Sequence, residues 1–210
     1  MINNNMHNKN TQTAGRSLKE AERVLIMLHG RGADAHDILG LASHLNVSEY
    51  ALLAPEATNN TWYPYSFMAK PEQNEPWLSS ALDIVKEVVD DVMSQGITAE
   101  NIYLLGFSQG ACLALEFVAR HAQRFGGVVA YTGGLIGDNI NEENYSGNFN
   151  ETPIFIGTGN PDPHVPVQRV NESVSILEKM NANVYLQVYE GRPHSISQDE
   201  IDVANRMIFK

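Results

Sequence analysis

Residues 101–110 read Asn101-Ile-Tyr-Leu-Leu-Gly-Phe-Ser-Gln-Gly110, and the stretch from Gln109 to His121 continues with Leu113, Leu115, Phe117 and Val118. The opening run is compact and apolar, as a strand buried on both faces requires. The closing run carries its apolar residues at helical spacing. Between them stands Gly106-x-Ser108-x-Gly110. A turn that sharp brings the positions two residues either side of Ser108 against neighbouring backbone, and glycine avoids the collision. The outcome is a serine hydroxyl lifted above a sheet at a helix start. The bare pattern is common; the strand before it and the helix after it give it meaning. A glycine-rich turn with a surface serine is the competing reading, and it does not require that setting.

Working outward, Arg23–Leu28, Tyr50–Ala54, Gly127–Tyr131, Pro153–Ile156 and Val184–Val188 are further short apolar runs. Helical patterns fall between them. Ser79–Gln95 aligns Leu82, Val85, Val88, Val89 and Val92; Val167–Met180 aligns Val170, Val174 and Leu177; Ser197–Met207 opens with Ser197 as N-cap and Asp199 and Glu200 in its first turn. Strands alternating with helices predict an α/β fold, a mainly parallel sheet with helices on both faces. Residues 1–20 read as a polar leader that can hold a short edge strand, and 21–210 as one catalytic domain. The loops at about 57–78 and 136–152 are too short for a separate cap domain.

A serine hydroxyl needs a base. Of the seven histidines, His194 is the best placed, in Gly191-Arg-Pro-His-Ser195 between the last strand and the last helix. His29 ends the first strong strand and suits bracing of the neighbouring loop. His36, His44 and His121 fall on loops or helix surfaces, and His164 stands too near the candidate acid to face it. The base in turn needs a carboxylate to fix its tautomer. Asp162, beyond Pro153–Ile156, fills that role; Asp138 follows a different strand, and Glu190 is close to His194 in sequence. The chain order is then Ser108, Asp162, His194. The glycine-bearing segment Leu28-His-Gly-Arg-Gly32 can turn amides toward the serine. The backbone N–H groups of Arg31 and Gln109 are the candidate oxyanion donors, worth ~3 kcal/mol of barrier each. Trp62, Tyr63 and Val165 are expected to line the substrate pocket.

Composition narrows the function. With 25 acidic against 14 basic residues the net charge is −11, which repels phosphate backbones and argues against nucleic acid as a partner. One cysteine, Cys112, excludes an internal disulfide framework, and it reads as a small buried core residue. The scattered histidines lack the spacing of a zinc site. The leader lacks the apolar segment of a secretion signal, and no apolar run reaches the ~20 residues of a membrane span. A cytoplasmic location is the expectation.

Four motifs in order, Leu28-His-Gly-Arg-Gly32, Gly106-Phe-Ser-Gln-Gly110, Asp162-Pro-His-Val-Pro166 and His194-Ser195, resemble the phospholipase/carboxylesterase family, small α/β hydrolases that include bacterial carboxylesterases and acyl-protein thioesterases. The resemblance runs from about Arg23 to the last helix. It implies an α/β-hydrolase fold and a triad of Ser108, Asp162 and His194. It also implies oxyanion donors at Arg31 and Gln109, a carboxylic ester as small-molecule substrate, and no metal or organic cofactor. Related small esterases can dimerise, so a homodimer is among its implications. This chain departs from the family's habits at Arg31, where relatives commonly carry an apolar residue or glycine, at Trp62-Tyr-Pro64 and at Gly191-Arg-Pro193. The missing cap favours small or short-chain esters. Thioesterase and lysophospholipase action share the same chemistry, and a non-catalytic binding module on this scaffold is the reading from another class. Because the imidazole must be neutral to act as base, activity is expected to rise through an apparent pKa near ~6.5–7.

Overall fold

The computed structural model describes residues 6–210. Its sheet has seven strands: β1 (Thr11–Gly15), β2 (Arg23–Leu28), β3 (Tyr50–Pro55), β4 (Ile102–Phe107), β5 (Gly127–Tyr131), β6 (Pro153–Asn160) and β7 (Asn183–Glu190). Their spatial order is β1-β3-β2-β4-β5-β6-β7, with β1 antiparallel to β3 and every other pair parallel. The leader thus supplies an edge strand. The helices are α1 (Ala35–Gly40), α2 (Pro71–Asn74), α3 (Trp77–Ser94), α4 (Gln109–Arg120), α5 (Val167–Lys179) and α6 (Gln198–Met207). No separate cap domain is present among the described residues, and none of their helices is long and apolar enough to cross a membrane.

Strand periodicity divides the core. Along β2, Val24, Ile26 and Leu28 face one apolar layer, with residues of α3, α4 and α5. Leu25 and Met27 face the other, with residues of α1 and α6. All five are fully buried, each side chain contributing about 1.5–3 kcal/mol relative to exposure.

The chain passes from β2 outward to β3 and then returns to β4 on β2's other side. Loops leaving β2 and β4 therefore diverge at their carboxyl ends and open a crevice, the place where such sheets bind ligands. Leu28 pairs with Gly106 across that junction, so the His29–Gly32 segment and Ser108 emerge side by side.

β6 is longer than its apolar core indicates. The apolar run ends at Ile156, but the strand pairs with β7 residue for residue as far as Asn160 with Glu190. Gly157 and Gly159 disguise this stretch, because glycine is a poor strand former. At Gly157 the missing side chain leaves room for the buried Glu200; a Cβ would lie 2.6 Å from its carboxylate. The extension carries Asp162 to the rim of the crevice.

Candidate active site

The turn at Ser108 has backbone angles φ 54° and ψ −116°, a conformation that costs a non-glycine residue about 1–3 kcal/mol. The flanking glycines make it sterically feasible. A Cβ on Gly106 would meet the carbonyl oxygen of Gly110 at 2.3 Å, and one on Gly110 would meet that of Leu28 at 2.1 Å. The Ser108 amide donates to the Tyr131 carbonyl at 2.9 Å, tying the turn to β5.

Three side chains from separate strand ends converge here. The Ser108 hydroxyl lies 2.8 Å from Nε2 of His194, and Nδ1 of His194 lies 2.7 Å from Oδ2 of Asp162. The Asp162 side chain is fully buried, and its Oδ1 accepts the amides of His164 at 2.8 Å and Val165 at 2.9 Å. Burial pushes this carboxyl upward, but the His194 bond and the two amides outweigh it and hold it below its ordinary value. An ionised carboxylate accepts only, so Nδ1 carries the imidazole proton and Nε2 is free to accept from Ser108. The His194 loop is anchored below. Ser197 and Glu200 form a reciprocal cap on α6, while Arg192 contacts Asp199 and Glu200 and lies over the Tyr189 ring.

Of the rival residues, His164 stands in the cleft with its ring edge-on to His194, centroids 5.0 Å apart, and others are bonded elsewhere. His29 accepts the Ala57 amide on Nε2 at 3.1 Å and so donates from Nδ1 to the Gly30 carbonyl at 2.8 Å, bracing the loop after β3. Glu190 accepts from the Asn160 side chain, and Asp138 lines a separate cavity beside Arg169, away from Ser108 and His194. Burial pushes the Cys112 thiol up to about 12, so it stays neutral at the cleft floor.

A cleft of about 700 Å³ opens on Ser108 and His194, with Tyr63, Phe67, Cys112 and Val165 among its walls. Tyr63 and Val165 are among its lining residues. Trp62 is not, which corrects the sequence expectation. Its indole is completely buried beneath the wall, packed between the rings of His7 and His29, and its Nε1 donates to the His29 carbonyl at 2.9 Å. A buried indole must satisfy that N–H, and the acceptor lies inward.

Sequence reasoning missed what holds this wall. The Gln109 side chain accepts the Trp62 amide at 3.0 Å and donates to the Tyr63 carbonyl at 2.8 Å. Arg31 donates to the carbonyls of Tyr63, Pro64 and Tyr65. Buried Asn74 takes the Tyr65 amide and donates to the Ser66 carbonyl. Nothing in the local sequence foretells these pairings, which span 8 to 47 positions. The backbone N–H groups of Arg31 and Gln109 donate to no acceptor among the described residues.

This fold and this grouping of serine, histidine and aspartate define an α/β hydrolase. The chain matches the phospholipase/carboxylesterase family model over residues 10–210 and belongs to that family; it is a carboxylic ester hydrolase. A phospholipase/carboxylesterase from Dyadobacter fermentans of known structure is 56% identical, with a TM-score of 0.97 over 99% of this chain and all of that one. Acyl-protein thioesterase 1 of Kluyveromyces lactis is 27% identical over 86% of this chain and 88% of its own. Its counterpart from Debaryomyces hansenii is 28% identical over 90% and 91%.

Proposed function

We propose that the protein hydrolyses small or short-chain carboxylic esters through an acyl-enzyme on Ser108. The observation that carries this reading is the continuous Ser108–His194–Asp162 hydrogen-bond chain at the mouth of a cleft. As Ser108 Oγ attacks the ester carbonyl, His194 Nε2 takes its proton, and Asp162 stabilises the imidazolium. The amides of Arg31 and Gln109, each without an acceptor among the described residues, receive the negative oxygen. Gln109 is the first residue of α4, so its N–H is one that the helix itself leaves unpaired. His194 returns the proton to the departing alcohol. Water then attacks the acyl carbon, again losing a proton to His194, and the acid leaves with Ser108 restored.

Initial rates on p-nitrophenyl esters of rising acyl length, beside the matching thioesters, test the assignment. The expected kcat/KM peaks at short chains and favours oxygen esters. A maximum at long chains or a preference for thioesters favours the lysophospholipase or thioesterase reading, to which the family's phospholipase members and the acyl-protein thioesterase relatives lend support.

Asp162→Asn should lower kcat by about 10⁴-fold by releasing the required tautomer. The same residue links stability to pH. Its folded pKa is depressed, so its stabilising contribution is full above the unfolded value of ~3.9 and is lost as pH falls through the folded pKa. Denaturant titrations of wild type and Asp162→Asn should therefore converge as the pH drops below ~4. A gap that stays constant from neutral to acid pH contradicts this.

A further inference from the structure

The chain carries a net charge of −11, yet no carboxylate lines the cleft that holds Ser108 and His194. Asp162 stands behind the imidazole, fully covered. The permanent charge on the cleft wall is positive and belongs to Arg31. Its guanidinium is fixed by three backbone carbonyls, those of Tyr63 at 2.9 Å, Pro64 at 3.0 Å and Tyr65 at 2.7 Å. Carbonyl dipoles orient a guanidinium but do not neutralise it. Arg16, Arg120, Arg169 and Arg192 each pair with a carboxylate; Arg31, like Arg23, Arg124 and Arg206, pairs with no side-chain carboxylate among the described residues, and of these four it alone lines the cleft. Three contacts leave two of the five guanidinium N–H donors unassigned. An immobilised cation with spare donors is a preorganised receptor for an anion, because its side-chain entropy has already been lost.

We infer that the ester this site takes bears a carboxylate, in its acyl or its alcohol part, which pairs with Arg31 while the carbonyl carbon sits at Ser108. This rests on the esterase mechanism proposed above and names its substrate class. A single carboxylate balances the single fixed charge. A phosphomonoester dianion would keep an unpaired charge at exposed Arg31, on the surface of a protein of net charge −11. Arg192, the other arginine near the histidine, does not compete for the ligand, since it is turned toward Asp199 and Glu200.

Two matched pairs test it, followed by pH-stat: ethyl pentanoate against ethyl hydrogen glutarate for the acyl side, and butyl acetate against acetoxybutyrate for the alcohol side. In the wild type, kcat/KM should be about tenfold or more higher for the acidic member of one pair. Added salt should erode that advantage without slowing the neutral ester. Arg31→Gln lowers rates on both members, because the wall loses its anchor, but it also brings their ratio to about one; Arg31→Lys keeps part of the preference. Preference for the neutral member in both pairs overturns the inference. So does an acidic preference that is insensitive to salt, or an equal fall on both members with the ratio intact, the mark of a purely structural arginine. Hydrolysis of neutral esters alone leaves the Ser108 mechanism standing. No turnover of any ester by folded wild-type protein overturns both.

Discussion

Ser108→Ala should lower turnover on the order of a million-fold while leaving the thermal midpoint at or above that of the wild type. The hydroxyl is the one group positioned to attack, at 2.8 Å from the imidazole that takes its proton. What remains after its removal is whatever the cleft and the backbone amides contribute by positioning. Stability behaves oppositely. Ser108 holds φ at 54°, a strained value for any residue with a Cβ, so Ser108→Gly should gain about 1–3 kcal/mol while being equally inactive. A fluorophosphonate probe should label the wild type and neither variant. Turnover or labelling retained by a folded Ser108→Ala protein moves the nucleophile elsewhere, and a destabilised Ser108→Gly protein removes the argument from strain.

Gly110→Ala should be far more damaging to the fold than its single methyl suggests. The added carbon would lie 2.1 Å from the Leu28 carbonyl oxygen and 2.5 Å from that of His29. Both obstacles are backbone, and Leu28 is bound into the β2–β4 pairing through Gly106. Relief requires α4 to move off the sheet at the junction on which the site is built. A cost above ~4 kcal/mol is expected, as for the severest single substitutions, out of a total stability of about 5–15 kcal/mol. Gly40→Ala is the control. No atom lies near its Cβ position, and at the end of α1 alanine should be neutral or stabilising by up to ~1 kcal/mol. Denaturant midpoints of the two variants separate the steric account from a general intolerance of glycine replacement. A Gly110→Ala protein as stable as Gly40→Ala contradicts it.

The legible parts of this molecule are those governed by local pattern. The runs at Arg23–Leu28 and Gly127–Tyr131 coincide with β2 and β5 because buried parallel strands announce themselves as unbroken apolar stretches. Ser197 is the N-cap of α6, as its chemistry and the acidic turn after it imply. The meeting of Ser108, Asp162 and His194 could be anticipated because each follows a strand end, and parallel strands deliver their loops to one edge. Long-range pairing was illegible. α1 was not foreseen, since its six residues are too few to establish a helical stripe. Trp62 reads on the page like any pocket aromatic; only its distant partner, the His29 carbonyl, turns it inward. The sequence marks Arg31 and Gln109 for their amides, yet their side chains also hold the aromatic wall, and no spacing rule connects positions 31 and 109 to 63.

That wall is held through main-chain atoms at residues 62–66. Its carbonyls and amides meet Arg31, Gln109 and Asn74, while the side chains of Tyr65 and Phe67 take no part in the clamp. Recognition is thereby modular. Substituting Tyr65, which is 56% exposed, can recontour the entrance without disturbing the frame that aims the nucleophile, whereas Phe67 is buried in the core beneath it; Tyr65 is thus the natural starting point for evolving altered selectivity in the laboratory.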